Sequence, residues 1–372
     1  MQVVLNPSVR RDPAFRGLFD ATEYERVGRF YAGHPELPPT PLRSSVSLAG
    51  RLGVGAVLIK DESQRWGVEA FKIAGVRYAV EQLDVATLTR GLACATAGNH
   101  GRAVARAARD LGVPCTVFLP AARPDAHVTE RTTRTARVAA MRADGATVVE
   151  TRGSYEEAVA LAAAHGDDTG ATVVSDTAWP GYERIPRLIM GGYTRLFDEA
   201  AFTWSAPPDV VLVQGGVGGL VCAAANWFAH RFGPARPFLI ACEPDNAACL
   251  LESARAGHPV NLIGERVEAN QGLALQTIMA GLRCAEPSPA AWPSIQAGID
   301  AFMSVSDQRA LDAIDVLRSP QFTDAPIAAG PSGACSVAAL IALMDDPQAH
   351  RLRTAGRVGP STRAMAIVTE GP

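Results

Sequence analysis

Short, almost wholly apolar runs alternate along the chain with longer stretches rich in alanine, leucine and arginine. The apolar runs predict strands over Ala56–Lys60, Gly91–Ala95, Cys115–Leu119, Thr147–Glu150, Thr172–Ser175, Val210–Val213, Phe238–Cys242 and Ala364–Thr369. Most lack the apolar–polar alternation of a strand with one wet face, as expected for strands buried on both faces of a parallel sheet. The longer stretches predict helices over Gly101–Leu111, Thr129–Ala143, Tyr155–His165, Val217–Phe232, Gln308–Leu317 and Ala334–Leu343, and a further helix just after Lys72 that runs through Leu83. This rhythm is that of βαβ units in an α/β fold. Proline clusters at Pro35–Pro41 and Glu286–Pro293, and breakers at Ser205–Asp209, interrupt it.

Composition narrows the class. With 372 residues, 48% hydrophobic and 20% charged, and a net charge of −3, the chain is long enough for two globular domains. Charge is balanced and forms no long run of one sign, which argues against a nucleic-acid or membrane-surface partner. No apolar stretch is long enough for a transmembrane helix. The start, Met1–Pro7, lacks the basic and apolar regions of a signal peptide, so a cytoplasmic protein is expected. The seven cysteines are scattered with no C-x-x-C, and read as free thiols in a reducing compartment. The histidines are equally dispersed, and no metal site is indicated.

Charge composition hides one signal. Lysine and arginine together number 35, and only Lys60 and Lys72 are lysines. Arginine stays protonated and cannot serve as an amine nucleophile, whereas lysine can. Lys60 ends an apolar strand and is followed by Asp61 and Glu62, so it reads as a paired strand end. Lys72 lies among Ala70, Phe71, Ile73 and Ala74 near a predicted helix start. Apolar surroundings and the positive helix end both disfavour the ammonium form, which keeps an amine nucleophilic. The alternative is a stem packed on the helix with its head in water.

Two glycine-bearing turns add to this. Gly98-Asn99-His100-Gly101 follows a strand and opens a helix, where Asn99 and backbone amides could grip a polar or anionic group, or simply punctuate the turn. Gly215-Gly216-Val217-Gly218-Gly219 leaves an apolar strand and crowds backbone N–H groups without side chains in the way, which suits a phosphate. It is neither a Walker loop nor a dinucleotide fingerprint, so a small phosphorylated cofactor is the better fit than a nucleotide.

Lys60-Asp61-Glu62-Ser63 with Ala70-Phe71-Lys72, the Asn99 turn, the glycine loop and a C-terminal Gly330-Pro331-Ser332-Gly333-Ala334, in that order, resemble the fold type II pyridoxal-phosphate enzymes of the tryptophan synthase β and threonine dehydratase superfamily. Ser175–Tyr182, Thr277–Leu282 and Glu286–Trp292 are most similar to the diaminopropionate ammonia-lyases. The resemblance implies two lobes, each an open, mostly parallel sheet flanked by helices: a large cofactor-binding lobe of residues 1–87 and 200–372, and a small mobile lobe of residues 88–199. It implies that Lys72, flanked by Phe71, holds pyridoxal 5'-phosphate as a Schiff base. Asn99 would bond the phenolic oxygen, Gly215, Gly216, Val217, Gly218 and Gly219 would cradle the phosphate, and Ser332 would face the pyridine nitrogen. Asp176 would be the acid or base acting on an L-amino acid, although it also reads as a helix cap. The implied reaction is α,β-elimination from a β-substituted L-amino acid, first L-2,3-diaminopropionate to pyruvate and ammonia. The alternative is a β-replacement synthase or a serine/threonine dehydratase-like enzyme on another β-substituted L-amino acid. A homodimer is implied by resemblance alone.

Three places depart from the lyase pattern. Ala97 stands where that pattern has an acid associated with the D-isomer, which predicts loss of D-diaminopropionate activity. Pro331 stands where it tends to carry an acid before Ser332, and the stretch Glu268–Gln276 is also altered.

Overall fold

A computed structural model describes residues 1–12, 17–96, 98–121, 128–152, 155–263, 275–323 and 325–372 of the chain. Ala97 and most of the Glu268–Gln276 stretch fall outside the described residues. The chain forms two compact units, residues 1–64 with 194–372, and residues 65–193.

The first unit is built on a seven-stranded sheet in the order β1-β10-β9-β8-β11-β3-β2. Its strands are β1 (Val3–Leu5), β2 (Leu42–Ser44), β3 (Ala56–Asp61), β8 (Val210–Gln214), β9 (Phe238–Pro244), β10 (Ala301–Val305) and β11 (Arg363–Val368). The five inner strands run parallel, and the three-residue β1 and β2 pair antiparallel at the edges. Every residue of β8 and β10 is buried, as the apolar runs require. The long helix Pro331–Asp345 brings Val337, Ala338 and Leu340 into one core with Leu212, Ile240 and Met303. Its register on β11 is fixed by Ser336, which donates to the Ile367 carbonyl at 2.8 Å and accepts from the Ile367 amide at 2.9 Å.

The second unit carries an all-parallel four-stranded sheet, β6-β5-β4-β7. These are β4 (Leu92–Ala95), β5 (Cys115–Leu119), β6 (Thr147–Glu150) and β7 (Thr172–Val173). Helix Asn99–Leu111 buries Ala103, Val104, Ala107 and Ala108, a narrow small-residue face that lets it approach closely. The α/β class and parallel sheets agree with the apolar pattern. The edge strands β1 and β2 are not legible because three residues carry no periodicity, and β10 is a short run in which Ser304 interrupts the apolar residues. Among the described residues no helix is long and apolar enough to cross a membrane.

Candidate active site

The chain reaches Lys72 through a strained turn. Trp66, Gly67 and Glu69 have φ of 43°, 71° and 58°. Left-handed conformations at non-glycine residues cost of order 1–3 kcal/mol each and persist only where the surroundings enforce them. Here Arg106 donates to the Trp66 carbonyl at 2.8 Å, and Arg102 pairs with Glu69 at 3.2 Å. Helix Lys72–Glu81 then starts on Lys72 itself, with Phe71 at its N-cap position and no side-chain cap. The helix is seated on helix Arg184–Tyr193 by two glycines. A Cβ on Gly75 would lie 2.4 Å from the Tyr193 ring, and one on Gly192 would lie 2.8 Å from the Gly75 Cα.

At the head of that helix the Lys72 ammonium donates to the Asp176 carboxylate, in an ion pair whose side chains are 21% and 16% exposed. The Phe71 and Tyr193 rings lie 5.3 Å and 6.0 Å from Nζ and pack on each other at 4.7 Å. Burial, the largest single influence, disfavours the Asp176 carboxylate, but the Lys72 ammonium, His100 and a backbone hydrogen bond together outweigh it and hold the acid below its ordinary range. Asp176 caps no helix: the next one begins at Arg184. His100, on the first turn of helix Asn99–Leu111, places Nδ1 3.9 Å from Asp176 while Nε2 lies 2.9 Å from the Val174 carbonyl. Burial, assisted by Lys72 and opposed by Asp176, lowers the His100 pKa and keeps the ring neutral. Asn99 opens the same helix with a half-buried side chain.

The glycine loop and Ser332 lie in the first unit. β8 ends at Gln214 and helix Gly219–Phe232 begins at Gly219, with Gly218 left-handed at φ 97°. The helix therefore starts two residues later than the pattern predicts, leaving Val217 and Gly218 in the loop. The loop is packed from behind: a Cβ on Gly215 would meet Leu250 at 2.6 Å, one on Gly216 would meet Cys284 at 3.1 Å, and one on Gly218 would meet Ile295 at 2.4 Å. Side chains are excluded, and the amides at this helix start are of the kind that bind an anion, with no carboxylate in the loop itself to compete. Glu243, next to Gly215, is neutralised instead: burial pushes its pKa up to about 8, against the amides of Leu250 and Leu251 that it accepts from at 2.8 Å each. Ser332 is buried on the first turn of helix Pro331–Asp345, and its Oγ accepts from the Gly281 amide at 3.0 Å. Its hydroxyl hydrogen is thus available to an acceptor such as a ring nitrogen. Gly281 joins the two features, since its carbonyl also lies 3.4 Å from the Gly216 Cβ position. In the first unit the anion cradle and the hydroxyl donor suit the phosphate and the ring nitrogen of pyridoxal phosphate, and in the second the lysine amine suits its aldehyde.

Lys60 is the paired strand end expected, with Glu62 as its neighbouring partner and Glu199 as a second one. Its ammonium pairs with Glu62 at 2.9 Å and Glu199 at 2.7 Å, while Asp61 is taken by Arg43 at 2.8 Å. Glu199 gave no sequence signal because it arrives from a distant helix. His100 and Gly281 stood inside recognised motifs without a role, and Tyr193 gave no signal at all.

Comparison with known proteins agrees with this geometry. Residues 35–370 match the family model described as pyridoxal-phosphate dependent enzyme. The diaminopropionate ammonia-lyase of Escherichia coli K12 is 33% identical over 375 residues, covering 95% of this chain and 89% of that protein. The solved structure of the Escherichia coli enzyme with an aminoacrylate–PLP azomethine reaction intermediate superimposes with a TM-score of 0.85 at 32% identity, covering 100% of this chain and 93% of the other. The same enzyme in complex with D-serine gives 0.84 at 31% identity, with the same coverage. The chain belongs to the pyridoxal-phosphate-dependent enzymes and is a lyase of fold type II.

Proposed function

We propose that the protein is an ammonia-lyase that eliminates the β substituent of an L-amino acid, with L-2,3-diaminopropionate, converted to pyruvate and ammonia, as its substrate. The observation that carries this reading is the Lys72–Asp176 pair: the amine that would hold the cofactor is in direct contact with the acid that would serve the substrate. Likeness to the Escherichia coli lyase over nearly the whole chain supports the substrate class.

Pyridoxal phosphate supplies an aldehyde for an amine and a conjugated ring that spreads charge developing at the substrate α carbon. In this reading Lys72 and Phe71, with Asn99, Gly215, Gly216, Val217, Gly218, Gly219 and Ser332, hold it. The large lobe of residues 1–87 and 200–372 and the mobile lobe of residues 88–199 belong to the same proposal, as do a cytoplasmic setting and a homodimer. Asp176 stays ionised while the Lys72 ammonium faces it. Where the Lys72 amine has given up its proton, burial acts on the carboxylate without that cation opposing it. Asp176 then becomes a stronger base at the moment an α proton must be taken. The Ser332 hydroxyl is neutral and does not force a proton onto the ring, which tempers the electron sink in favour of elimination.

Ala97 has no acidic side chain where the lyase pattern carries the acid associated with the D-isomer, so that isomer is excluded in this reading. Pro331 in place of an acid favours a second reading, in which another β-substituted L-amino acid is eliminated or its β group replaced. One screen separates these: pyruvate and ammonia release from L- and D-diaminopropionate, L-serine, L-threonine and β-substituted alanines. L-diaminopropionate is expected to be turned over fastest, with both nitrogens released, and the D-isomer at least ~100-fold more slowly, as when a general base is missing. Comparable turnover of the two enantiomers would sink the isomer assignment. Turnover confined to another substrate, or dependent on an added nucleophile, would replace the first reading by the second.

A further inference from the structure

His100 presents an unused acceptor to the reaction centre. The Val174 carbonyl can only accept, so the nitrogen 2.9 Å from it, Nε2, carries the hydrogen. The ring is neutral, and Nδ1 is therefore a bare lone pair. That atom is buried, has no hydrogen-bond partner among the described residues, and lies 3.9 Å from Asp176 Oδ2. A lone pair facing a carboxylate gains nothing, and a buried acceptor left without a donor is destabilising. The arrangement becomes favourable only when a proton lies between the two groups.

We infer that His100 is a positioning residue for Asp176: its Nδ1 waits to accept a hydrogen bond from the Asp176 carboxyl after that group has taken the substrate's α proton. The inference rests on the proposed role of Asp176. The same oxygen, Oδ2, has a donor, Lys72, on one side and an acceptor, His100, on the other. In the step the α C–H bond breaks, its electron pair stays on the substrate, and the proton forms an O–H bond on Asp176. That O–H donates to Nδ1 and is later given to the departing β group. His100 thus steadies the protonated acid and fixes which oxygen carries the proton. The other titratable groups around the pair are Cys94, Tyr182 and Tyr193, all pushed up by burial, and they stay uncharged near neutral pH. Asp176 and His100 remain as the pair whose titration the inference concerns.

The test uses the holoenzyme and the substrate found active in the screen. His100→Gln keeps a donor for Val174 but offers no acceptor at the Nδ1 position; His100→Asn keeps an acceptor there. In His100→Gln, kcat is expected to fall roughly tenfold to a hundredfold with KM nearly unchanged, the scale of a misplaced reacting group. The acid limb of the kcat/KM profile should move to lower pH, because protonated Asp176 has lost its acceptor; His100→Asn should restore part of both. A His100→Gln profile superimposable on the wild type overturns the inference. If either variant fails to fold, nitrogen NMR of histidine-labelled wild-type holoenzyme decides: a hydrogen on Nε2 and a bare Nδ1 are required, and the opposite tautomer or a charged ring refutes it. Asp176→Asn separates the two levels. Retained turnover there removes the base assignment itself, whereas lost turnover beside a wild-type-like His100→Gln removes only the role of His100.

Discussion

The two lysines are placed in environments that differ in how completely they satisfy an ammonium. Lys60 is 1% exposed, and its three N–H donors are consumed by Glu62, Glu199 and Thr40. Arg195 closes the cluster by pairing with Glu199 at 2.7 Å, so two cations face two carboxylates in a buried, charge-balanced knot. Such a knot contributes little net stability but is costly to break. Lys72 is 21% exposed and has among its neighbours the half-buried Asp176 carboxylate and the Phe71 and Tyr193 rings. An amine held by a full shell of acceptors has no reason to leave it. An amine at a helix start, against one carboxylate and two ring faces, can exchange its partner for a carbonyl carbon. The environment separates an architectural lysine from a reactive one, although the two stand a dozen positions apart in a chain that otherwise uses arginine.

Substitutions can break that contrast, beginning with the largest effect. Lys72→Ala should lower turnover by at least ~10³-fold while leaving the fold intact, since a partly exposed pair is removed and general-base or nucleophile loss is worth 10²–10⁴. Circular dichroism alongside the kinetic assay checks both halves; a Lys72→Ala enzyme of near-normal rate would erase the distinction. Lys60→Met should do the reverse. It removes the buried cation that Glu62 and Glu199 share, leaving excess negative charge in the cluster, and destabilisation of about 3–5 kcal/mol is expected, read as a denaturation midpoint, with the kcat of the folded fraction little changed. A stable Lys60→Met enzyme that cannot turn over would exchange the roles of the two residues.

The smallest effect concerns the acid behind the glycine loop. The Glu243 pKa rises from 4.5 to about 8 on burial, so the folded state holds a proton that the unfolded chain has released. Stability should therefore be fully present below pH 4.5 and fall as pH climbs towards 8, with a slope of up to ~1.4 kcal/mol per pH unit from this group. Glu243→Gln should flatten that part of the profile in chemical denaturation across pH. An unchanged slope would mean the group is ionised in the fold, and a charged carboxylate behind the loop would weaken the case for an anion there.

Much of this was written in the sequence because the controlling physics is local. Apolar runs without alternation announced parallel sheets, and glycines crowded after β8 announced a loop with free amides. The scarcity of lysine narrowed the amine to two positions. What remained hidden depends on contacts between distant segments. Nothing near Lys60 in the sequence points to Glu199, 139 positions away, and nothing near Lys72 points to the Tyr193 ring brought in by the Gly75–Gly192 approach. The bare Nδ1 of His100 follows from the Val174 carbonyl fixing a tautomer, which no spacing rule encodes.

The central claim is that Lys72, and not Lys60, is the amine that carries the cofactor. It is tested most directly by reducing the purified holoenzyme with borohydride, digesting it, and weighing the peptides that contain each lysine. With only two lysines in the chain the outcome is unambiguous. The peptide with Lys72 should gain the mass of the reduced cofactor while the peptide with Lys60 remains unmodified. Label on Lys60, or on neither lysine in a protein that retains pyridoxal phosphate and activity, would contradict the account.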